Sequence, residues 1–335
     1  MSQKTALVTG SSGFIGYFTA LALLNAGWKV VGVDSLNPYY DVGLKEARQA
    51  LLKEHTNFTV INRKIEDPGM LRDAFAEHQP DAVIHLAAQA GVRHSIEAPR
   101  AYLDANLIGT FELLEAARAY PPAHMLLASS SSAYGANTEM PYRESEKVDS
   151  QMSFYAATKK ATENMAHSYA HLYDLPITMF RFFTVYGPWG RPDMAHFLFT
   201  RAILAGEPIN IYNQGKMQRD FTYVDDLVGA IIALLEVIPD PAEPVAGDSI
   251  SNVAPFRLVN IGNGHPVPLM DFIAGIEAAC GRDAIKTYHD MQPGDVLATW
   301  ADTTLLRTLI GARDATPLNI GLQRFVDWYR SYYDV

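Results

Sequence analysis

A chain of 335 residues, 48% hydrophobic and 19% charged, is large enough for one big domain or two unequal ones and is ordinary for a globular protein. A net charge of −10 without a basic run argues against a nucleic-acid partner, and a single cysteine, Cys280, leaves no intrachain disulfide framework and fits a reducing compartment. No apolar run reaches about 18 residues and no basic-then-apolar leader precedes Thr5, so the expectation is a cytoplasmic protein with no membrane partner.

Ala6-Leu7-Val8 reads as a short buried strand. It runs into Gly10-Ser11-Ser12-Gly13-Phe14-Ile15-Gly16 and then an amphipathic helix to about Ala26; Val30 to Val33 gives a second strand that ends at Asp34. A glycine-rich turn between strand and helix lets backbone amides meet a pyrophosphate at the helix N-terminus. Gly10 suits the tight turn, Gly13 the close approach and Gly16 the packing of helix on strand. Asp34 suits a ribose diol and repels a 2′-phosphate, so the expected cofactor is NAD rather than NADP.

Strand and helix then alternate. Phe58 to Asn62 reads as a strand, Gly69 to His78 as a helix, and Ala82 to Leu86 as a strand leading into Ala87-Ala88. Arg100 to Tyr120 reads as one long helix, His124 to Ala128 as a strand, Met152 to Tyr173 as a helix and Ile177 to Arg181 as a strand. Such alternation predicts an α/β fold, a doubly wound parallel sheet of Rossmann type. Ligands of such sheets bind at the carboxyl ends of the strands. The glycine turn, Asp34, Ala87-Ala88, the serine run Ser129 to Ser132 and the segment after Arg181 all fall there. Residues 1–182 are expected to form the dinucleotide-binding domain, with some later segments returning to it. Residues 183–335 are expected to form mainly a smaller α/β substrate domain, and Pro239 to Asn252 a surface loop.

Tyr155 and Lys159 stand four apart on a predicted helix, so both side chains lie on one face. A free phenol, with a pKa of about 10, is a poor base near neutrality. A neighbouring ammonium stabilises its phenolate, and a serine hydroxyl at the strand end can share the proton. The ten histidines show no metal-ligand spacing, so no metal is expected. Cys280 sits in an apolar helix and reads as packed.

The segment Val8 to Gly16, with Ser130 and Tyr155-x-x-x-Lys159, resembles the extended short-chain dehydrogenase/reductase superfamily over nearly the whole chain. Asp34 to Asp41, His85 to Arg93 and Arg181 to Met194 are similar to the corresponding stretches of UDP-glucuronate 4-epimerases. The resemblance implies C4 epimerisation of a UDP-sugar through a 4-keto intermediate, with bound NAD and the catalytic set Ser130, Tyr155 and Lys159. It implies cofactor contacts from Gly10, Gly13, Phe14, Ile15, Gly16, Asp34, Ile65, Leu86, Ala87, Ala88 and Asn106, besides Tyr155 and Lys159. It implies substrate contacts from Arg93, Ser131, Thr184, Arg191, Tyr212, Arg219 and Asp295. Tyr212 would pack on the base and Arg219 meet the diphosphate. It also implies a homodimer through the helices around residues 100–120 and 152–173. Burial of those helices within one chain would give the same apolar pattern.

The resembling dehydratases and decarboxylases carry carboxylates just after the catalytic hydroxyl, where this chain has Ser131 and Ser132. Thr184 and Arg191 suit a sugar carboxylate, for which arginine offers a paired-donor fork; the alternative for Arg191 is a surface salt bridge. The chain departs from the resemblance at Lys64, where many relatives have aspartate before Ile65, and at Gln292, where arginine is frequent. A neutral-sugar 4-epimerase, a UDP-glucuronate decarboxylase and a non-enzymatic NAD-binding regulator are the competing functions.

Overall fold

The computed structural model describes residues 3–291 and 296–335. The first half runs β1 (Thr5–Thr9), α1 (Phe14–Asn25), β2 (Lys29–Val33), α2 (Val42–Lys53), β3 (Phe58–Ile61), α3 (Met70–His78) and β4 (Ala82–His85). Two single turns, α4 (His94–Glu97) and α5 (Pro99–Tyr102), lead through a π-helical segment, Leu103–Ile108, into α6 (Gly109–Ala119). Then come β5 (His124–Ala128), α7 (Phe154–Tyr173), β6 (Ile177–Phe182), β7 (Thr184–Tyr186), α8 (Ala195–Ala205), β8 (Pro208–Ile211), β9 (Gln218–Tyr223) and α9 (Val224–Leu235). The chain closes with β10 (Phe256–Ile261), β11 (Pro266–Pro268), α10 (Leu269–Cys280), β12 (Ile285–Tyr288), β13 (Ala298–Thr299), α11 (Thr304–Ile310) and α12 (Leu318–Tyr333).

Seven strands form one sheet in the order β10-β6-β5-β4-β1-β2-β3, with every pairing parallel. A parallel sheet must be covered on both faces, which is why its strands are continuous apolar runs. Side chains alternate along a strand, so β1 feeds two cores. Ala6 and Val8 join one cluster with residues of α1 and α9, while Leu7 joins another with residues of α3, α6 and α7. Thr9 pairs with Val33 on one side and His85 on the other. The carboxyl ends of β1, β2 and β4 therefore lie level, and their loops open onto one edge.

Later segments return to this sheet. The strand β10 pairs with β6, and α9 packs against α1 and β5. A smaller set of strands stands apart: β9 is paired by β7, β11 and β13, and β8 by β12. Cys280 is buried at the end of α10.

Two expectations change. The predicted helix from Arg100 to Tyr120 is broken by the π segment, which turns Asn106 inward. Its carboxamide accepts from the Gln89 N–H (2.8 Å) and donates to the Gln89 carbonyl (3.1 Å) and Thr158 Oγ1 (3.0 Å). One wide turn thus satisfies the Gln89 backbone beside the sheet edge. The helix α2, which the sequence reading leaves unassigned, buries Lys45, Arg48 and Gln49 alongside Leu44 and Leu52. Among the described residues no helix is long and apolar enough to cross a membrane.

Desolvation holds three buried imidazoles well below their ordinary pKa: His85 to about 3, His124 to about 4 and His196 to about 3. The unfolded chain binds these protons more readily, so stability present above about pH 6.5 is lost as pH falls toward the folded values, about 1.4 kcal/mol per pH unit for each histidine. We expect the urea midpoint to drop steeply between pH 7 and pH 5 and His124→Gln to flatten that slope. Equal slopes in variant and wild type would remove His124 from the account.

Candidate active site

The turn after β1 is built on glycine because no other residue fits. Gly10 has φ +71°, and a Cβ there would stand 2.8 Å from the Ala87 nitrogen. A Cβ on Gly16 would stand 1.9 Å from the Gly10 carbonyl oxygen, so the first turn of α1 rests directly on the loop. Gly13 caps α1 without a side-chain hydrogen bond, and its own Cβ would meet only the Gly10 carbonyl. The first-turn amides of Phe14 and Ile15 have no intrahelical acceptor and line an open cleft, which suits an anionic diphosphate.

That cleft, of about 290 Å³, runs along the carboxyl edge of the sheet. Gly10, Gly13, Phe14, Ile15, Gly16, Asp34, Ile65, Leu86, Ala87, Ala88, Ser130, Tyr155, Lys159 and Arg191 all line it. Asp34 directly follows β2, with its carboxylate held by the Ser12 N–H (2.9 Å) and the Leu36 N–H (2.8 Å). Each oxygen keeps a second lone pair, the acceptor set a ribose diol needs. A dinucleotide with a free 2′-hydroxyl therefore fits these residues.

The chemistry-bearing end lies where β5 meets α7. Ser153 caps α7 by accepting the Ala156 N–H, which starts the helix just before Tyr155. Burial pushes the Tyr155 phenol up, while a hydrogen bond with Ser130 and the Arg191 charge pull it down. Lys159 Nζ donates to the Ala128 carbonyl at 2.9 Å, and burial lowers it to about 8 against the pull of Glu163. The groups that oppose burial at Tyr155 here are Ser130 and Arg191. Behind them the Glu163 carboxylate accepts from Ser129 Oγ (2.7 Å) and, through both oxygens, from Arg181 (2.8 Å each). Beneath the floor, Thr9 Oγ1 meets His85 Nδ1 (2.8 Å) and accepts from the Leu86 and Ala87 amides (3.2 Å each).

Other predicted residues stand outside the cleft lining. Asn106 is behind the wall, occupied by Gln89 and Thr158. Ser131 begins a 3-10 turn after Ser130, and Thr184 begins β7. Arg93 carries its guanidinium 5.6 Å from the Tyr212 ring, which brings those two together. Arg219 donates to the carbonyls of Gln218 (2.8 Å) and Leu297 (3.3 Å). Asp295 and Gln292 lie outside the described residues.

Arg48 is absent from the sequence reading and is fully buried. It donates to the Ser12 carbonyl (3.0 Å), Tyr40 Oη (3.1 Å) and the Trp189 carbonyl (2.6 Å). It thereby ties the glycine turn to the segment that carries Arg191. Trp189 is held there at φ +59°, a conformation that costs a non-glycine residue on the order of 1 kcal/mol or more. The Asp41 cap on the Gly43 N–H and the spacing of Leu44, Arg48 and Leu52 are the signals that could have revealed α2. Among the described residues no cluster of three His, Cys, Asp or Glu side chains could hold a metal.

The fold and the cleft define a nicotinamide-dinucleotide-binding enzyme in whose cleft Ser130, Tyr155 and Lys159 stand together. The chain belongs to the NAD dependent epimerase/dehydratase family, whose pattern it matches over residues 6–247. It is 51% identical over 331 residues to a probable UDP-glucuronate 4-epimerase of Rhizobium meliloti (strain 1021), covering 98% of this chain and 97% of the relative. It is 44% identical to UDP-glucuronate 4-epimerase 4 of Arabidopsis thaliana over 98% of this chain and 76% of that one. Its fold matches, with a TM-score of 0.87 and 31% identity, a UDP-glucuronic acid 4-epimerase from Bacillus cereus in complex with UDP-glucuronic acid and NAD, over 98% of this chain and 100% of that one.

Gly16→Ala drives a methyl into the Gly10 carbonyl and must open the turn. We expect NAD affinity to fall by about tenfold or more, since each lost charge-assisted amide contact is worth about 1.5–3 kcal/mol. Equilibrium binding followed by fluorescence checks it, with circular dichroism confirming the fold. Unchanged affinity would show that the turn tolerates the methyl.

Proposed function

We propose that this chain is an NAD-dependent UDP-glucuronate 4-epimerase that forms UDP-galacturonate. The observation that carries the reading is the position of Arg191: it lines the same cleft as Tyr155 and its charge acts on that phenol. In a glucuronate the carboxylate is on C5, next to the C4 hydroxyl, so its anchor must stand near the base. When bound, NAD supplies a reversible hydride acceptor for C4 and leaves no net redox change. Tyr155 Oη, with Ser130 beside it, takes the 4-hydroxyl proton and returns it after the 4-keto sugar has turned over. Lys159, held by the Ala128 carbonyl, fixes the cofactor ribose. Arg191, with Thr184, holds the carboxylate and keeps its bond to C5 out of alignment with the ketone, which resists loss of CO2.

Arg93 and Arg219 meet the diphosphate in this reading, and Tyr212 packs on the base. Ser131 and Ser132 stand where the resembling dehydratases and decarboxylases carry acid, which supports epimerisation over those reactions. We place residues 1–182, joined by α9 and β10, in a cofactor unit and most of 183–335 in a substrate unit. The exposed Phe111, Phe154, Leu172 and Tyr173 on α6 and α7 support pairing of two copies through these helices. The single cysteine, buried as a free thiol, supports a cytoplasmic setting.

One observation favours a second reading, a neutral-sugar 4-epimerase: Arg191 is already paired with Asp193. Incubation with UDP-glucuronate without added NAD, followed by chromatography, separates the two. We expect UDP-galacturonate; turnover of UDP-glucose alone would favour the neutral sugar, and a UDP-pentose product would indicate decarboxylation.

Two variants extend the test. Tyr155→Phe should keep the fold and NAD but lose about 100- to 10,000-fold in turnover, the usual worth of a positioned base; turnover within a fewfold of wild type would move the base into the serine run. Arg191→Ala should weaken UDP-glucuronate far more than UDP-glucose and release some 4-keto-pentose product. Unchanged discrimination between acid and neutral sugar would remove Arg191 as the anchor.

A further inference from the structure

Arg191 does not reach the cleft as a free cation. Its Nε donates to Asp193 Oδ1 at 3.1 Å and its Nη2 to Asp193 Oδ2 at 2.5 Å, a two-point pair. Tyr39 Oη donates to the same Oδ2 at 3.3 Å, and the guanidinium carbon lies 5.9 Å from the Tyr39 ring. Arg191 and Tyr39 line the cleft and Asp193 does not.

A guanidinium has five N–H donors in one plane. Asp193 takes the edge made by Nε and Nη2. The edge made by Nη1 and the second N–H of Nη2 is not taken by Asp193, and it is itself a parallel fork matched to a carboxylate. We propose that Asp193 is a positioning residue for substrate selection: it holds Arg191 by one edge so that the other edge is presented to the anionic group on the sugar. Tyr39 in turn orients Asp193. This deepens the proposed function and rests on its reading of a C5 carboxylate. An arginine fixed before the substrate arrives loses less side-chain freedom on binding. Its charge is also offset by the Asp193 carboxylate, so the site selects by paired hydrogen bonds in a fixed plane more than by net charge. If instead Asp193 competed with the sugar for Arg191, its removal would tighten binding.

The two cases give opposite results in the NAD-loaded enzyme. We expect Asp193→Ala to raise KM for UDP-glucuronate by about tenfold, the worth of one charge-assisted hydrogen bond, while kcat and UDP-glucose affinity stay within about twofold. Asp193→Asn keeps one acceptor for Arg191 and should fall between, and Tyr39→Phe should shift KM in the same direction by less. Retained NAD and an unchanged melting temperature show that the variants are folded. A KM for Asp193→Ala equal to or below that of wild type overturns the proposal. If Arg191→Ala still raises KM in that case, the functional reading survives alone; if Arg191→Ala also changes nothing, the carboxylate anchor falls with it.

Discussion

The active edge depends on one buried ion pair. Glu163 and Arg181 are almost fully enclosed and meet through both carboxylate oxygens. Glu163 is on α7, one turn after Lys159, and Arg181 is on β6. The same carboxylate accepts from Ser129, the first residue of the serine run. A single acid thus fixes the helix that carries Tyr155 and Lys159, the end of β5 and the neighbouring strand in one frame. Arg181 also stacks 4.5 Å from the Tyr134 ring, whose hydroxyl donates to Asn260 on β10. Removing either partner would strand a buried charge at a cost of about 3–5 kcal/mol, so the pair specifies geometry more than it adds net stability.

Around that frame the site is assembled from opposite directions. The glycine turn and Asp34 come from the first two strands, and Arg191 comes from a loop in the second half of the chain. Arg48 bridges them, with its donors on the Ser12 and Trp189 carbonyls. The hydrogen bond from Arg48 helps to hold Trp189 in its left-handed conformation. Backbone strain next to a site residue is therefore balanced by a buried guanidinium on a helix that touches both parts. The glycine turn and the loop that carries Arg191 are mechanically one unit.

Most of this edge was legible because local rules demand it. Glycines three apart between a strand and a helix, an acid closing the next strand and a tyrosine and lysine one helical turn apart are short-range signals. The structure places Gly10, Asp34, Tyr155 and Lys159 in one cleft because parallel strands end level. The helix α2 escaped because Lys45, Arg48 and Gln49 interrupt its buried face, so its apolar stripe is incomplete. The break in the predicted helix at residues 100–120 escaped because its cause, the Gln89 backbone that Asn106 satisfies, is distant in sequence.

The sequence by itself determined the sheet class, the dinucleotide turn, the choice of NAD and the helix that brings Tyr155 and Lys159 to one face, because each rests on residues within one or two turns of each other. Only the tertiary structure decided which groups tune the Tyr155 phenol. It set Ser130 and Arg191 against burial at Tyr155 and turned Lys159 to the Ala128 carbonyl. It also decided that Arg191 is paired with Asp193, with Tyr39 from far upstream donating to the same carboxylate. Such charge partnerships depend on distances across the fold: a hydrogen bond needs its partners about 3 Å apart and Coulomb energy falls as the inverse of distance. No spacing along the chain encodes them.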